Sequence, residues 1–298
     1  MITAVNRAKK LLRSRDDLIR DPEAFRREAE RLMREADRYR LNQTARRERI
    51  IVSLTSYPAR FGHLHLVIRS MLLQTLPPDE IILWPDEDAL PDGRPPASLA
   101  ELCGRGLQIR PRGGELRPHK KYYYAMLEHP DALILTIDDD ILYPPDLIER
   151  LVQAHRRFPD CVIAARAHRI EFRADGTAKP YRDWDYLCSA AGRPDMRLLA
   201  TGCGGVLYPP GCMHADLLNQ ARITALSPGA DDLWLKVMQV LQGTRTVLCD
   251  NEVRKRRIEI PGSQADSLVS VNLGQNRNDE YFRRLTDFYS LSARDFAN

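Results

Sequence analysis

From residue 49 onward, short apolar runs alternate with stretches whose apolar residues recur at helical spacing. The runs are rich in β-branched residues, which is typical of buried strands; they read "RIIVSLTSYP", whose end is a loop, "EIILWP", "GLQIRP", "ALILTID", "CVIAARAHRI" and "RTVLCD". The amphipathic stretches predict helices; they read "HLHLVIRSMLLQTL", "PHKKYYYAMLEH", "PDLIERLVQAHRRF" and "ADDLWLKVMQVLQG". This alternation with short connections predicts an α/β fold, with helices on both faces of a mostly parallel sheet.

The first 48 residues follow a different pattern. In "DPEAFRREAERLMREADRYRL", Asp21 is a good N-cap, Pro22 suits the first helical position, and apolar residues from Phe25 to Ala36 recur at helical spacing. The preceding stretch, "AVNRAKKLLRSRDDLI", predicts a second, basic helix. We therefore expect a basic helical extension at residues 1–48 and one α/β domain at residues 49–298, with an irregular C-terminal tail.

Charge is distributed unevenly along the chain. The net charge is +4, yet residues 1–49 carry fifteen Lys and Arg against nine Asp and Glu, so the remainder is slightly acidic. This distribution argues against a nucleic-acid-binding protein, which would carry a basic surface throughout. The basic extension has two interpretations. It packs on the main domain or on a second copy in a homo-oligomer, or residues 1–40 bind an anionic membrane surface.

Cysteine usage and the N-terminus indicate the compartment. The six cysteines contain no CxxC pair, which is typical of reduced thiols in an intracellular protein. The first twelve residues lack the apolar region of a signal peptide, and no apolar stretch is long enough to span a bilayer. We expect a cytoplasmic protein that is at most peripheral at the inner face of the membrane.

An acidic triad follows the fourth apolar run, in "LILTIDDDILYPP". Ligands of α/β sheets bind beyond the carboxyl ends of the strands, and Asp138 to Asp140 lie at such an end. In an extended chain Asp138 and Asp140 share a face, where Mg²⁺ or Mn²⁺ could hold them together and carry a diphosphate. The alternative is a solvated acidic turn that caps the helix beginning at Pro144.

The first strand is followed by residues that suit a nucleotide base and ribose: Thr55, Ser56, Tyr57 and Arg60. An ordinary turn before a helix explains the same residues. No GxGxxG or GxxxxGK[ST] motif is present, which argues against a dinucleotide site or a P-loop. Lys121 opens a predicted helix and could reach a phosphate, although a lone lysine is more often a surface residue.

Two further motifs follow the acidic triad. "TGCGGVLYPP" contains Gly204 and Gly205, which allow a ligand to approach the backbone closely or simply form a tight bend. "SPGADDLW" puts Asp231 and Asp232 at the start of a helix, where the helix dipole stabilises a carboxylate. An ionised carboxylate beside a sugar hydroxyl can act as a general base. Simple helix capping is the alternative.

In this order, "SLTSYPAR", "DDD", "TGCGG" and "ADDLW" resemble the nucleotide-sugar glycosyltransferases of the GT-A fold, in the broad family-two-like bacterial group. The resemblance covers about residues 49–250. It implies a Rossmann-like mixed sheet, a DxD motif that binds Mn²⁺ or Mg²⁺, and a UDP-sugar as the expected donor. It also implies transfer to a hydroxyl of a glycan or glycolipid acceptor, with inversion favoured, in bacterial polysaccharide biosynthesis.

Residue roles follow from the resemblance. Asp138 and Asp140 would bind the metal. The donor would be contacted by residues from each motif: Thr55, Ser56, Tyr57, Arg60, Lys121, Asp138, Asp139, Gly204 and Gly205. Asp232, or otherwise Asp231, would be the catalytic base; the pair is Asp-Asp here, where Glu-Asp is common in the family.

Two other functions remain open from the sequence. A phosphotransferase of the haloacid-dehalogenase type also has a D-x-D motif after an apolar strand, with the first Asp as nucleophile. Its motif would lie on the first strand, whereas this one lies near mid-chain. A non-enzymatic adaptor at the membrane surface would use the basic N-terminus, and it has no need for acidic clusters at two element ends.

Overall fold

The computed structural model describes residues 18–90, 93–186, 188–263 and 276–297. The helices are α1 (Pro22–Arg34), α2 (Phe61–Leu72), α3 (Ala97–Cys103), α4 (Lys120–Glu128), α5 (Leu147–Arg157), α6 (Gln220–Leu226), α7 (Asp231–Gln242) and α8 (Arg277–Phe288). The strands are β1 (Ile50–Leu54), β2 (Glu80–Leu83), β3 (Leu107–Ile109), β4 (Leu133–Thr136), β5 (Ile141–Leu142), β6 (Val162–Ala164), β7 (Ala167–Arg169), β8 (Leu198–Ala200), β9 (Val206–Tyr208), β10 (Thr246–Leu248) and β11 (Ile258–Glu259).

Seven of these strands form one mixed sheet in the order β10-β6-β9-β4-β1-β2-β3. All neighbours pair in parallel except β9, which runs antiparallel to both β4 and β6. Alternate residues enter opposite layers: Ile51 packs in one apolar cluster, whereas Ile50 and Val52 pack in the other. The predicted α/β fold, with a mostly parallel sheet covered by helices, is confirmed.

Strand β9 was not predicted, because the Gly-rich sequence before it favours a loop. It is a short buried strand inserted between β4 and β6, and it makes the sheet mixed. The run "CVIAARAHRI" is also divided. Its first part is β6, and β7 leaves the main sheet to pair with β8.

The N-terminal residues that the structure describes pack on the domain. Asp21 caps α1 by accepting hydrogen bonds from the amides of Glu23 and Ala24, as its position predicts. Leu32 on α1 is fully buried in the apolar cluster beside α2. Ile19 pairs with Ile258 of β11, the strand that lies antiparallel to β5. The predicted basic helix at residues 4–19 falls almost entirely outside the described residues.

We expect Leu32→Ala to lower the free energy of unfolding by about 2–5 kcal/mol, because it leaves a cavity in a closed apolar cluster. Met33→Ala on the same helix is the matched control. That side chain is 48% exposed, and its removal should change stability by less than about 0.5 kcal/mol. Urea unfolding of both variants measures the difference. Equal, small effects would mean that α1 is only loosely attached.

The prediction of an irregular C-terminal tail is wrong for residues 277–288. They form α8, which buries Tyr281, Phe282 and Leu285 against α7 and the surrounding aromatic residues. The spacing of these three apolar residues is helical, but the many polar residues around them made the pattern hard to recognise. Across the described ranges, no helix combines the length and apolarity that crossing a membrane requires.

Candidate active site

The acidic triad and the loop after β1 lie side by side at one edge of the sheet. This follows from the pairing of β1 with β4, which are parallel neighbours. Asp139 is buried and accepts a hydrogen bond from the Ser56 hydroxyl at 2.6 Å. The Arg60 guanidinium binds the same carboxylate and also reaches Asp140 Oδ2 at 3.2 Å. The two loops are therefore joined by one half-buried arginine.

The triad does not continue strand β4. Asp139 and Asp140 form a turn between β4 and β5, so the predicted alternation of an extended chain does not apply to them. Burial raises the pKa of Asp140 to about 7, and the neighbouring charges of Asp138 and then Asp139 add to this effect. Asp138 and Asp140 thus repel each other strongly even though the backbone turns between them.

Lys121 links the triad to a different part of the chain. Its ammonium lies 2.9 Å from Asp138 Oδ1 and 2.8 Å from Asp231 Oδ2. Burial lowers the pKa of Lys121, but the carboxylates of Asp138, Asp231 and Asp232 outweigh burial and hold it well above its usual value. The alternative that Lys121 is a surface residue is therefore wrong, since the residue is buried.

The acidic pair of α7 faces the triad across Lys121. Asp231 is the first residue of α7 and is buried, and Asp232 Oδ1 accepts a hydrogen bond from the Gly202 amide at 3.1 Å. Burial raises the pKa of Asp232 to about 8, and the adjacent Asp231 carboxylate contributes the next largest effect. A carboxylate with so high a pKa is a stronger base than an exposed one.

The glycines of "TGCGG" have different roles. A Cβ on Gly204 would lie 2.6 Å from the Cβ of Arg166, and Gly205 has a φ of +88° and packs against Leu147. Contacts within the protein therefore require both glycines, and their predicted contact with a donor sugar stays a prediction. A Cβ on Gly202 would lie 2.5 Å from Lys121 Nζ. Gly202 is thus the glycine that lines the charged cluster.

Like Ser56 and Arg60, the other two predicted nucleotide contacts have partners in the protein. The Thr55 hydroxyl donates to the Trp84 carbonyl at 2.7 Å, which ties the end of β1 to the end of β2. The Tyr57 hydroxyl accepts from Arg60 Nε at 3.1 Å, and the guanidinium lies over the ring. Tyr57 therefore contacts the cluster through Arg60, whereas Thr55 lies beside it at the end of β1.

Five carboxylates and two cations meet in this cluster: Asp138, Asp139, Asp140, Asp231, Asp232, Arg60 and Lys121. With every group ionised, these seven residues carry three more negative than positive charges. Within the described ranges, no group of three His, Cys, Asp or Glu side chains is arranged to hold a metal ion by itself. Mg²⁺ and Mn²⁺ commonly use one or two carboxylates and take their other ligands from phosphate and water. Asp138 and Asp140 each supply a carboxylate of the kind that such a partial site uses.

Tyr143 also belongs to the site, although no role was predicted for it. Its hydroxyl accepts from the Asp138 amide at 2.9 Å and donates to the Cys203 carbonyl at 3.4 Å. It therefore holds the triad against the Gly-rich turn. Its position directly after "DDDIL" was visible, but its partner 60 residues later was not.

Comparison with models of protein families finds no match, and comparison with curated proteins finds none either. Among solved structures, the chain is similar to the mannosyltransferase PcManGT from Pyrobaculum calidifontis, solved in complex with GDP-Man and Mn²⁺. The two are 14% identical with a TM-score of 0.49, over 92% of this chain and 73% of that chain. A similarity this distant does not establish an activity for this chain. The evidence for its function lies in the side chains of the site.

Lys236, one turn beyond Asp232 on α7, is fully buried, and within the described residues its ammonium has no hydrogen-bond partner. Burial lowers its pKa from 10.5 to about 7. Between these values the unfolded chain holds a proton that the folded chain has lost, so stability rises with pH at up to about 1.4 kcal/mol per unit.

We expect Lys236→Met to remove this rise and to stabilise the protein most below pH 7, where the wild type must keep a buried charge. Denaturant unfolding at pH 6 and pH 9 checks this. An identical difference between variant and wild type at the two values would contradict it.

Proposed function

We propose that this protein is a glycosyltransferase of the GT-A type. It moves a sugar from a nucleoside-diphosphate donor to a hydroxyl of a glycan or glycolipid, with inversion at the anomeric carbon. The supporting observation is that carboxylates from the end of β4 and from the start of α7 meet around Lys121 at the carboxyl edge of the sheet. One acidic group at that edge suits a cation and a diphosphate, and the other suits an acceptor hydroxyl.

In this proposal the donor lies against the ends of β1 and β4. Asp138 and Asp140 would hold Mn²⁺ or Mg²⁺, which when bound stabilises the charge on the departing diphosphate. Arg60 binds Asp139 and Asp140, and Ser56 binds Asp139, so these two carboxylates are held in place before the donor arrives. The donor is a UDP-sugar in our proposal. The acceptor belongs to bacterial polysaccharide or glycolipid assembly at the cytoplasmic side of the membrane.

Asp232 is the base. As the acceptor oxygen bonds to the anomeric carbon, the bond from that carbon to the diphosphate breaks and the hydroxyl proton passes to the Asp232 carboxylate. Its raised pKa of about 8 favours proton acceptance. Asp231 is less suited, because it is buried and paired with Lys121.

Binding of nucleoside diphosphates tests the donor assignment. We expect UDP, or one other nucleoside diphosphate of a panel that includes GDP, to raise the melting temperature only when Mn²⁺ is present. At a ligand concentration of about 100 times Kd the stabilisation is about 2.7 kcal/mol. Asp140→Asn should abolish the metal-dependent part and leave the ligand-free protein at least as stable, because it removes a carboxyl whose charging burial opposes.

Other outcomes favour the alternatives. Hydrolysis of a phosphomonoester without diphosphate binding would favour the phosphotransferase of the haloacid-dehalogenase type. Binding to anionic vesicles without any nucleotide effect would favour the membrane-surface adaptor. On α1 and in the turn after it, arginines pair with acidic residues of the same segment, which leaves less unpaired positive charge for the proposed membrane contact of residues 1–40: Arg26 with Glu23, Arg31 with Glu28, Arg34 with Glu30 and Arg38 with Glu35.

A further inference from the structure

Lys121 is held in place at both ends. Its carbonyl accepts a hydrogen bond from the Ser53 hydroxyl of β1 at 2.5 Å, and that hydroxyl accepts in turn from the Trp84 indole at 2.9 Å. Its ammonium contacts carboxylates of two elements that are far apart in the sequence, Asp138 after β4 and Asp231 on α7. The side chain is 7% exposed, so this bridge lies inside the protein.

Gly202 leaves the space that the bridge needs. An added Cβ there would lie 2.5 Å from Lys121 Nζ, 3.2 Å from Asp138 Oδ1 and 3.4 Å from Asp232 Oδ1. The Gly202 amide meanwhile donates to Asp232 Oδ1. The two adjacent acids of α7 are therefore held by different partners: Asp231 by an ammonium and Asp232 by a backbone amide.

We propose that Lys121 is a positioning residue that couples the donor side of the site to the base. By neutralising Asp231 and holding it toward Asp138, it fixes the start of α7 and leaves Asp232 to face the acceptor. This role differs from the predicted phosphate contact, since the ammonium already lies 2.9 Å from Asp138 Oδ1 and 2.8 Å from Asp231 Oδ2. The inference rests on the proposed glycosyl transfer and adds to it a connection between the two halves of the site.

A double-mutant cycle between Lys121 and Asp231 tests the role. Lys121→Met leaves Asp231 buried without its ammonium, whereas Asp231→Asn removes the charge that needs one. We expect Lys121→Met to lower kcat by about a hundredfold. The double variant Lys121→Met with Asp231→Asn should recover about tenfold of that loss, because the effects of substitutions at contacting residues are not additive. The Kd of the nucleoside diphosphate with Mn²⁺ should change by less than about threefold, as expected for a group that does not bind the donor.

Lys120→Met is the matched control. Lys120 is also buried, at the neighbouring position of α4, but its ammonium binds Asp86 and the Arg112 carbonyl. Its effects should be additive with Asp231→Asn. Lys121→Gln, which keeps hydrogen-bond donors without the charge, repeats the cycle if Lys121→Met unfolds, and thermal unfolding of every variant identifies such a loss.

Two results would overturn the inference in an active wild type. Additive losses in the cycle would show that Lys121 only supports the fold. A nucleotide Kd raised about tenfold or more, with no recovery through Asp231→Asn, would show that Lys121 binds the diphosphate. A wild type that neither binds a nucleoside diphosphate nor transfers a sugar is a different failure, because it refutes the proposed function itself.

Discussion

Replacing Asp232 with Asn is expected to lower kcat for sugar transfer by about 10²–10⁴-fold, the usual contribution of a general base. The amide cannot accept the acceptor proton, yet its oxygen can still accept from the Gly202 amide, so the local structure should persist. Binding of the nucleoside diphosphate should be unchanged within about threefold, because the residue acts on the acceptor. Steady-state kinetics and calorimetry of the variant measure both quantities.

The pH dependence of the wild type gives the matching control. Asp232 must be ionised to accept a proton, and its pKa is raised to about 8, so kcat/KM should rise with pH up to about that value. Asp231→Asn removes the second largest cause of the raised pKa of Asp232, so the rise of kcat/KM should move to lower pH. Full activity of Asp232→Asn would contradict the assignment of the base. A rise of kcat/KM with pH that Asp231→Asn leaves unchanged would also contradict it.

Replacing Gly202 with Ala is expected to lower activity by about a hundredfold with little loss of stability, as a misplacement of about 1 Å can do in an active site. The new methyl group would lie 2.5 Å from Lys121 Nζ, so the ammonium must move away from Asp138 and Asp231. Kinetics together with thermal unfolding separate the loss of activity from a loss of folding.

Gly62→Ala on α2 is the control for adding a methyl group. A Cβ there meets nothing within 4 Å, and the position is helical, so the substitution should be neutral or slightly stabilising. If Gly202→Ala behaves like Gly62→Ala, the cluster tolerates displacement of Lys121, and the bridge has no functional importance.

Both predictions concern residues that the sequence brought to notice only in part. Asp232 stood out because two acids open a helix, which is a local pattern. Gly202 lies in the same Gly-rich motif, but the predicted donor contacts in that motif were Gly204 and Gly205. Their contacts with Arg166 and Leu147 explain why those two are glycines, and such contacts depend on packing between distant segments.

The tail and the N-terminus show the same limit. Helix α1 was predictable down to its capping residue, because a cap is a contact between neighbours in the sequence. Other contacts of this region involve residues far along the chain: Leu32 packs in the core beside α2, and Ile19 pairs with Ile258 of β11. Helix α8 was missed because its few apolar residues become informative only once α7 is there to cover them.

The sequence by itself determined the α/β class, the principal parallel strands and the two acidic motifs, because apolar periodicity and the residues after each strand are local signals. Only the tertiary structure decided how those motifs relate to each other. The triad and the α7 pair lie about ninety residues apart in the chain, and a buried lysine from α4 joins them. The reason is electrostatic: five carboxylates can share one edge of a sheet only where the fold brings cations and backbone amides among them.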